Sequence, residues 1–478
     1  MKILNERKLT KLMIHQLTVL PFIRQIEFTT TTEGFINCLF LSTNEKTMHR
    51  HLIAALILFT FTARAQTNSK VLIQASPAEG GFSATRLMRL DSGMSDWVKK
   101  KWVNGSVALV ARKGKIVFYK AYGYNDMETK APLDKTGIFR IASQTKAVTT
   151  VAAMILWEEG KFSLDDPVSK FIPSFANQQV LNTFDFKDTS YTTIPAKRAV
   201  TIRDLLTHVS GLGYPAIGTP RENAIYAKYY ITGGVGVRNQ KLSDVMNRLG
   251  TLPLFFQPGE KWMYGLNADV LGYLIEIWSG MPLEEFFMKR IFLPLGMKDT
   301  YFNLPSDKGP RLVNFFQQDS TGAIKKQATT FGGYLDMNYP LQKTDYYSGG
   351  GGLVSTVYDY AILLQMLLNN GTYNGVRLLS HNTVRMMTMN QIGDLFVNLN
   401  GIMSENKFGF NFALITENGS RLGPSQAGTY SWGGVFSTSY WVDPKEDMFV
   451  IIYRQMWGSH VADTDKEFKP LVYQAIND

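Results

Sequence analysis

The chain has 478 residues, 45% of them hydrophobic, which is ample for a large core and excludes disorder as the default state. Its formal charge is +10, but 8 Lys/Arg against 4 Asp/Glu precede Gln66, leaving roughly +6 on everything after; with no Lys/Arg block interleaved with aromatics, no nucleic-acid partner is expected. The single cysteine, Cys38, and three widely spaced histidines after Gln66 (His208, His381 and His460) argue against a zinc site, and no metal or cofactor is expected.

Residues 1–47 show no sustained periodicity and precede a better-placed methionine, so they read as an upstream extension outside the fold. From Met48 the order is Arg50, an apolar run over 52–61, then Ala63-Arg64-Ala65, the layout of a secretory signal peptide over 48–65. A membrane anchor needs about 18 or more apolar residues. Cleavage near Ala65 is expected, giving a periplasmic or secreted chain with no stable membrane anchor and no cysteine to oxidise.

Over 84–100 the apolar residues Leu87, Leu90, Met94, Trp97 and Val98 recur at helical spacing. The next stretch, SVALVARKGKIVFYKAYGYN, alternates apolar residues about Lys113-Gly114 and predicts a β-hairpin. In FRIASQTKAVTT, Ser143 stands three residues ahead of Lys146 where an apolar periodicity begins (Ala147, Val148, Val151, Ala152, Ile155, Leu156). Residues i and i+3 share a helix face, so the amine can reach the hydroxyl; a serine is inert until something takes its proton, and a desolvated lysine can do so. The spacing alone is weak, since Ser404 and Lys407 share it without an apolar helical face around them.

From about 163 to 295 the pattern is mostly helical, carried by TIRDLLTH, LSDVMNRLG, NADVLGYLIEIWSG and LEEFFMKRIFLPLG, with few strand signals. His208 with Ser210 shows no nucleophile-elbow pattern, and the stretch reads as a helix end with Gly211 as its left-handed stop. In SGGGG (348–352) no Lys-Ser/Thr follows, so the glycines are expected to allow close backbone packing beside a cleft and not to cradle phosphate. Strand composition returns in FGFNFALITE, GVFSTSYWVDP and DMFVIIYRQ, with Pro444-Lys445-Glu446-Asp447 as a turn. The expectation is an α/β fold over 84–478, with an antiparallel sheet closed by the two chain ends, flanking helices and a mostly helical subdomain over about 163–295.

Five motifs in order, FRIASQTKAVT, TIRDLLTHVSGL, PGEKWMYGLNADVLGYLIE, SGGGGLVSTVYDYAILLQMLLNNG and GTYSWGGVFSTSYWVDPKE, resemble the serine β-lactamase-related hydrolases, most nearly the class C β-lactamase-like (family VIII) esterases. The resemblance implies a β-lactamase/transpeptidase-like fold, with Ser143 as acylated nucleophile, Lys146 as its proton partner and Tyr264 as the second acid/base. It implies an oxyanion hole from the backbone N–H groups of Ser143 and Val435, and a substrate-facing strand segment at Trp432, Gly433 and Gly434. Two departures bear on substrate. Trp432 stands where lactamases and DD-peptidases of this group keep the lysine of Lys-Thr-Gly, and the usual Tyr-x-Asn would place asparagine at Leu266, whereas Asn267 follows one residue later. Both favour small neutral esters. The alternatives are a β-lactamase or D-amino-acid peptidase using the same site, or a non-catalytic homologue that binds cell-wall fragments.

Overall fold

The computed structural model describes residues 69–327, 330–331, 335–399 and 402–478. The expected 1–47 extension, the 48–65 leader with its cleavage point, and Cys38 lie outside the described residues.

A short first strand, β1 (Ile73–Gln74), precedes helix α1 (Ala84–Lys99), where Ser83 Oγ accepts the Arg86 N–H as an N-cap. The predicted hairpin follows as β2 (Gly105–Arg112) and β3 (Lys115–Asp126). Its two-residue turn holds Lys113 at φ 56° and Gly114 at φ 78°, the left-handed pair that matches the twist of the flanking strands. The C-terminal part supplies β4 (Lys407–Phe408), β5 (Ala413–Leu414), β6 (Tyr430–Gly434), β7 (Thr438–Asp443) and β8 (Met448–Tyr453). Their order is β1-β3-β2-β8-β7-β6-β5-β4, with Ala131–Pro132 pairing beside β3; β1 and β3 run parallel and the other neighbours antiparallel. The strands next to the two chain ends therefore meet at β2 and β8, with Val107 opposite Tyr453.

Both central strands are buried throughout because helices cover both faces. Alternation at period two sends Ala108, Val110, Val450 and Ile452 towards α1 and the C-terminal helix α6 (Val461–Gln474), and Val107, Leu109, Ile451 and Tyr453 towards the other side. On that side lie α2 (Thr145–Glu158), the short α3 (Ile202–Thr207), α4 (Asn267–Ser279) and α5 (Val357–Leu368), with α5 on β8 and α4 against α2 and α3. Residues 145–156 of α2 are buried without exception, so α2 is a core helix with no solvent face.

Three departures from the sequence reading, and one helix on which it is silent, have physical causes. The helical 163–295 segment also contains a hairpin, Gln179–Phe184 with Tyr191–Pro195; Tyr191–Pro195 is largely exposed, which removes the apolar alternation that marks a strand. FGFNFALITE is not one strand: Asn411 is left-handed (φ 61°) and splits it, leaving only β4 and β5, while Phe410 and Phe412 enter the core. Helix α6 carries Pro470 in its interior, a residue that argues against a helix there. The residue that ends α3 in the left-handed conformation is His208 (φ 59°), three positions before Gly211.

Candidate active site

Ser143 lies in a single 3-10 turn, Ala142–Gln144, that leads into α2. The turn is fixed from behind: Tyr453 Oη donates to Gln144 Oε1 at 2.6 Å, and Tyr360 Oη donates to the Gln144 carbonyl at 3.0 Å. Ala142, directly before the serine, is buried at φ 44°, a left-handed backbone that an L-residue keeps only where its surroundings over-determine it.

Three polar atoms converge here. Tyr264 Oη donates to Ser143 Oγ at 2.7 Å, and Lys146 Nζ lies 3.4 Å from the same oxygen. Lys146 is 1% exposed and donates to the Gly350 carbonyl at 2.7 Å; its nitrogen also sits 4.6 Å from the Tyr264 ring centre and 5.5 Å from that of Tyr214. A buried ammonium needs such acceptors and ring faces to replace water. The glycine run supplies them by close approach. A Cβ on Gly349 would meet the Ala268 carbonyl at 2.3 Å, and one on Gly350 would meet Asp269 Oδ2 at 2.4 Å. The run thus packs beside the site as expected, and its backbone also holds the lysine.

Two acidic and aromatic partners escaped the sequence reading. Asp269, in the first turn of α4, is fully buried and accepts from Ser348 Oγ at 2.7 Å; desolvation pushes its carboxyl up to about 6, against the opposing pull of Ser348 and Lys146. An acidic residue in a first turn reads in sequence as a partner of the helix dipole, which conceals such a role. The second is Tyr214, stacked on Tyr264 with ring centres 5.5 Å apart and planes within 12°. Asn267 does not face the site: it is buried, hydrogen-bonded to His208 and Ser210, and Leu266 is buried as well.

On the opposite wall β6 brings Trp432 to 5.5 Å from Tyr264, ring to ring. Gly434 lets β6 approach the turn at Ser143, since a Cβ there would meet the Ile141 carbonyl at 2.3 Å and Thr438 Oγ1 at 2.5 Å. Gly433 is less confined, its nearest neighbour being the Thr438 carbonyl at 3.1 Å, and Val435 follows at 37% exposure. Arg454, the cation in β8's continuation that could substitute for a lysine at Trp432, is fully buried and bound to the Ser437 carbonyl, Thr464 and Asp465. Ser404 and Lys407 do not pair: Ser404 Oγ accepts from Asn406 N–H, and Lys407 donates to the Leu395 carbonyl.

Comparison with known proteins identifies the family and the fold. Residues 89–472 match the family described as Beta-lactamase. Protein Rv1367c of Mycobacterium tuberculosis is 32% identical over 365 residues, covering 73% of this chain and 85% of its own. Esterase EstB of Burkholderia gladioli is 28% identical over 384 residues, covering 77% and 90%. The solved structure of EstCE1, titled a hydrolase with promiscuous acyltransferase activity, superposes with a TM-score of 0.67 at 25% identity, covering 82% of this chain and 99% of that one. With an antiparallel-dominated α/β sheet flanked by helices and a family match over residues 89–472, the chain belongs to the beta-lactamase family and is a serine hydrolase on that fold.

Proposed function

We propose that this enzyme hydrolyses small carboxylic esters through an acyl-enzyme on Ser143, with Lys146 and Tyr264 moving the proton. The observation that carries the reading is the convergence of Tyr264 Oη and Lys146 Nζ on Ser143 Oγ, at 2.7 and 3.4 Å. Starting from the form in which the pair lacks one proton, Ser143 Oγ attacks the ester carbonyl carbon while its proton passes to the pair; the C–O bond to the alcohol breaks as that proton is passed on to the leaving alkoxide. Water then attacks the acyl carbon, gives its proton to the same pair, and the acid departs as Ser143 Oγ regains its hydrogen. The backbone N–H groups of Ser143 and Val435 are the proposed oxyanion donors, each worth about 3–4 kcal/mol in the transition state. Gly434 supports that assignment by drawing β6 against the Ile141 carbonyl, two residues before Ser143.

The ester preference rests on charge. Trp432 is neutral, Arg454 is committed elsewhere, and Lys146 is buried among carbonyl and ring partners, so none of these described residues offers a carboxylate anchor of the lactamase kind. The relationship to a protein named esterase supports the same substrate class. A β-lactamase or D-amino-acid peptidase activity would use the same three residues. The polypeptide is proposed to be exported, with cleavage near Ala65.

The test is a side-by-side assay of p-nitrophenyl esters of short acids, a cephalosporin and a D-alanyl peptide. A missing carboxylate anchor is worth about ten- to hundredfold in rate, so kcat/KM for esters should exceed that for the cephalosporin by at least that factor. Comparable values for the two would refute the ester assignment.

A further inference from the structure

His208 is the buried group the mechanism above leaves unused, and it grips both sides of Tyr264. Its carbonyl accepts the Met263 N–H at 2.8 Å, and its ring Nδ1 accepts the Gly265 N–H at 3.3 Å and the Asn267 side-chain N–H at 2.8 Å. With Nδ1 an acceptor twice over, the ring proton belongs on Nε2, which faces Asn411 Oδ1 at 2.9 Å. Burial, followed by the Lys146 charge, holds the imidazole down to about 3, so it stays neutral and keeps that acceptor across the working pH range. The ring also lies 5.1 Å from the Tyr264 ring.

The network continues to the other proton carrier. Asn411 Nδ2 donates to Thr150 Oγ1 at 3.0 Å, and Thr150 Oγ1 donates to the Lys146 carbonyl at 2.8 Å. An unbroken line of hydrogen bonds thus runs from the backbone beside Tyr264, through His208, Asn411 and Thr150, to the backbone of Lys146. We propose that His208 is a positioning residue that sets the Tyr264 hydroxyl against Ser143 Oγ, through the bond from Gly265 N–H to Nδ1. The inference rests on the reading of Tyr264 as a proton carrier.

The two ring nitrogens can be separated by substitution. Asparagine places its Oδ1 near the position of Nδ1 and tolerates φ 59°, so His208→Asn keeps the acceptor for Gly265. Glutamine places its amide near Nε2, so His208→Gln keeps a partner for Asn411 and loses that acceptor. With p-nitrophenyl acetate and enzyme normalised to folded protein, H208Q should lose about ten- to hundredfold in kcat with KM within about threefold of wild type, and H208N should recover most of it. Equal kcat in the two variants, whether retained or lost, would overturn the inference. If neither folds, His208→Gly, which is unstrained at positive φ, is assayed with added imidazole and with pyrrole, a ring of similar size without an acceptor nitrogen. Rescue by imidazole alone supports the role; no rescue, or equal rescue by both, contradicts it. Tyr264→Phe in the same assay separates the two claims. An unimpaired Y264F refutes the proton-carrier reading itself, whereas an impaired Y264F beside an intact H208Q refutes only the role of His208.

Discussion

Asp269 shows how much one buried carboxyl beside Lys146 shapes the energetics of the site. Its folded value of about 6 lies above the usual carboxylate value near 4 in an unfolded chain, because burial penalises the anion. The unfolded state therefore binds fewer protons between those values, and this group's contribution to stability, complete below about pH 4, is lost as pH rises to about 6. Asp359 in the first turn of α5 is pushed to about 6 by the same desolvation and adds the same sign. Asp269→Asn removes the ionisation. Whatever the substitution costs in contacts is common to both ends of the range, so the stability of D269N relative to wild type should improve by about 2–3 kcal/mol between pH 4 and pH 8, read from urea unfolding. A pH-independent difference would mean that the carboxyl titrates alike in the folded and unfolded states, contrary to the burial argued for it. At this scale the closeness of Ser143 and Lys146 was legible in the sequence, because a helix start and an i, i+3 spacing are local. Asp269, Asn411 and the Gly350 carbonyl reach the site only through tertiary packing, and nothing in their own neighbourhoods marks them.

Among elements, the approach of β6 to the turn at Ser143 is the contact that assembles one wall of the candidate site. It also separates two adjacent glycines. Gly434→Ala places a methyl against the Ile141 carbonyl, which belongs to a backbone pinned by Tyr453 and Tyr360, so relief requires strand movement; about 1–3 kcal/mol of stability and most of the activity should be lost. Gly433→Ala meets only the Thr438 carbonyl at 3.1 Å and should retain most of its stability. Thermal melts of the two variants check this, and equal loss in both would contradict the proposed approach. The β2–β3 hairpin and the Pro444–Asp447 turn between β7 and β8 were legible because their turn residues and alternation are local signals. Helix α6 was not, since Pro470 masks it, and neither was the Gln179–Pro195 hairpin, whose largely exposed second strand has no apolar face.

Across the whole molecule the two ends of the described chain are tied to one sheet. Ser83 N–H donates to the Ala475 carbonyl, Asn477 N–H to the Gly81 carbonyl, and Arg112 bridges Glu446 and Asp478. Lys70, near the first described residue, pairs with Asp447, while its carbonyl accepts from Asn369. A chain beginning at Gln66 keeps all of these contacts. It should therefore express with full esterase activity, and N-terminal sequencing of exported protein should read from about Gln66. Protein recovered from cells with Met1 intact and needing residues 1–65 for activity would contradict both the leader and the proposed location. The central claim is narrower than location or substrate: one serine, set between Tyr264 and Lys146, forms the acyl-enzyme. Treatment of the purified enzyme with a fluorophosphonate, followed by peptide mass spectrometry, tests it most directly. A stoichiometric adduct on Ser143, abolished by Ser143→Ala, is expected; a stoichiometric adduct on any other residue, Ser404 included, would contradict the assignment.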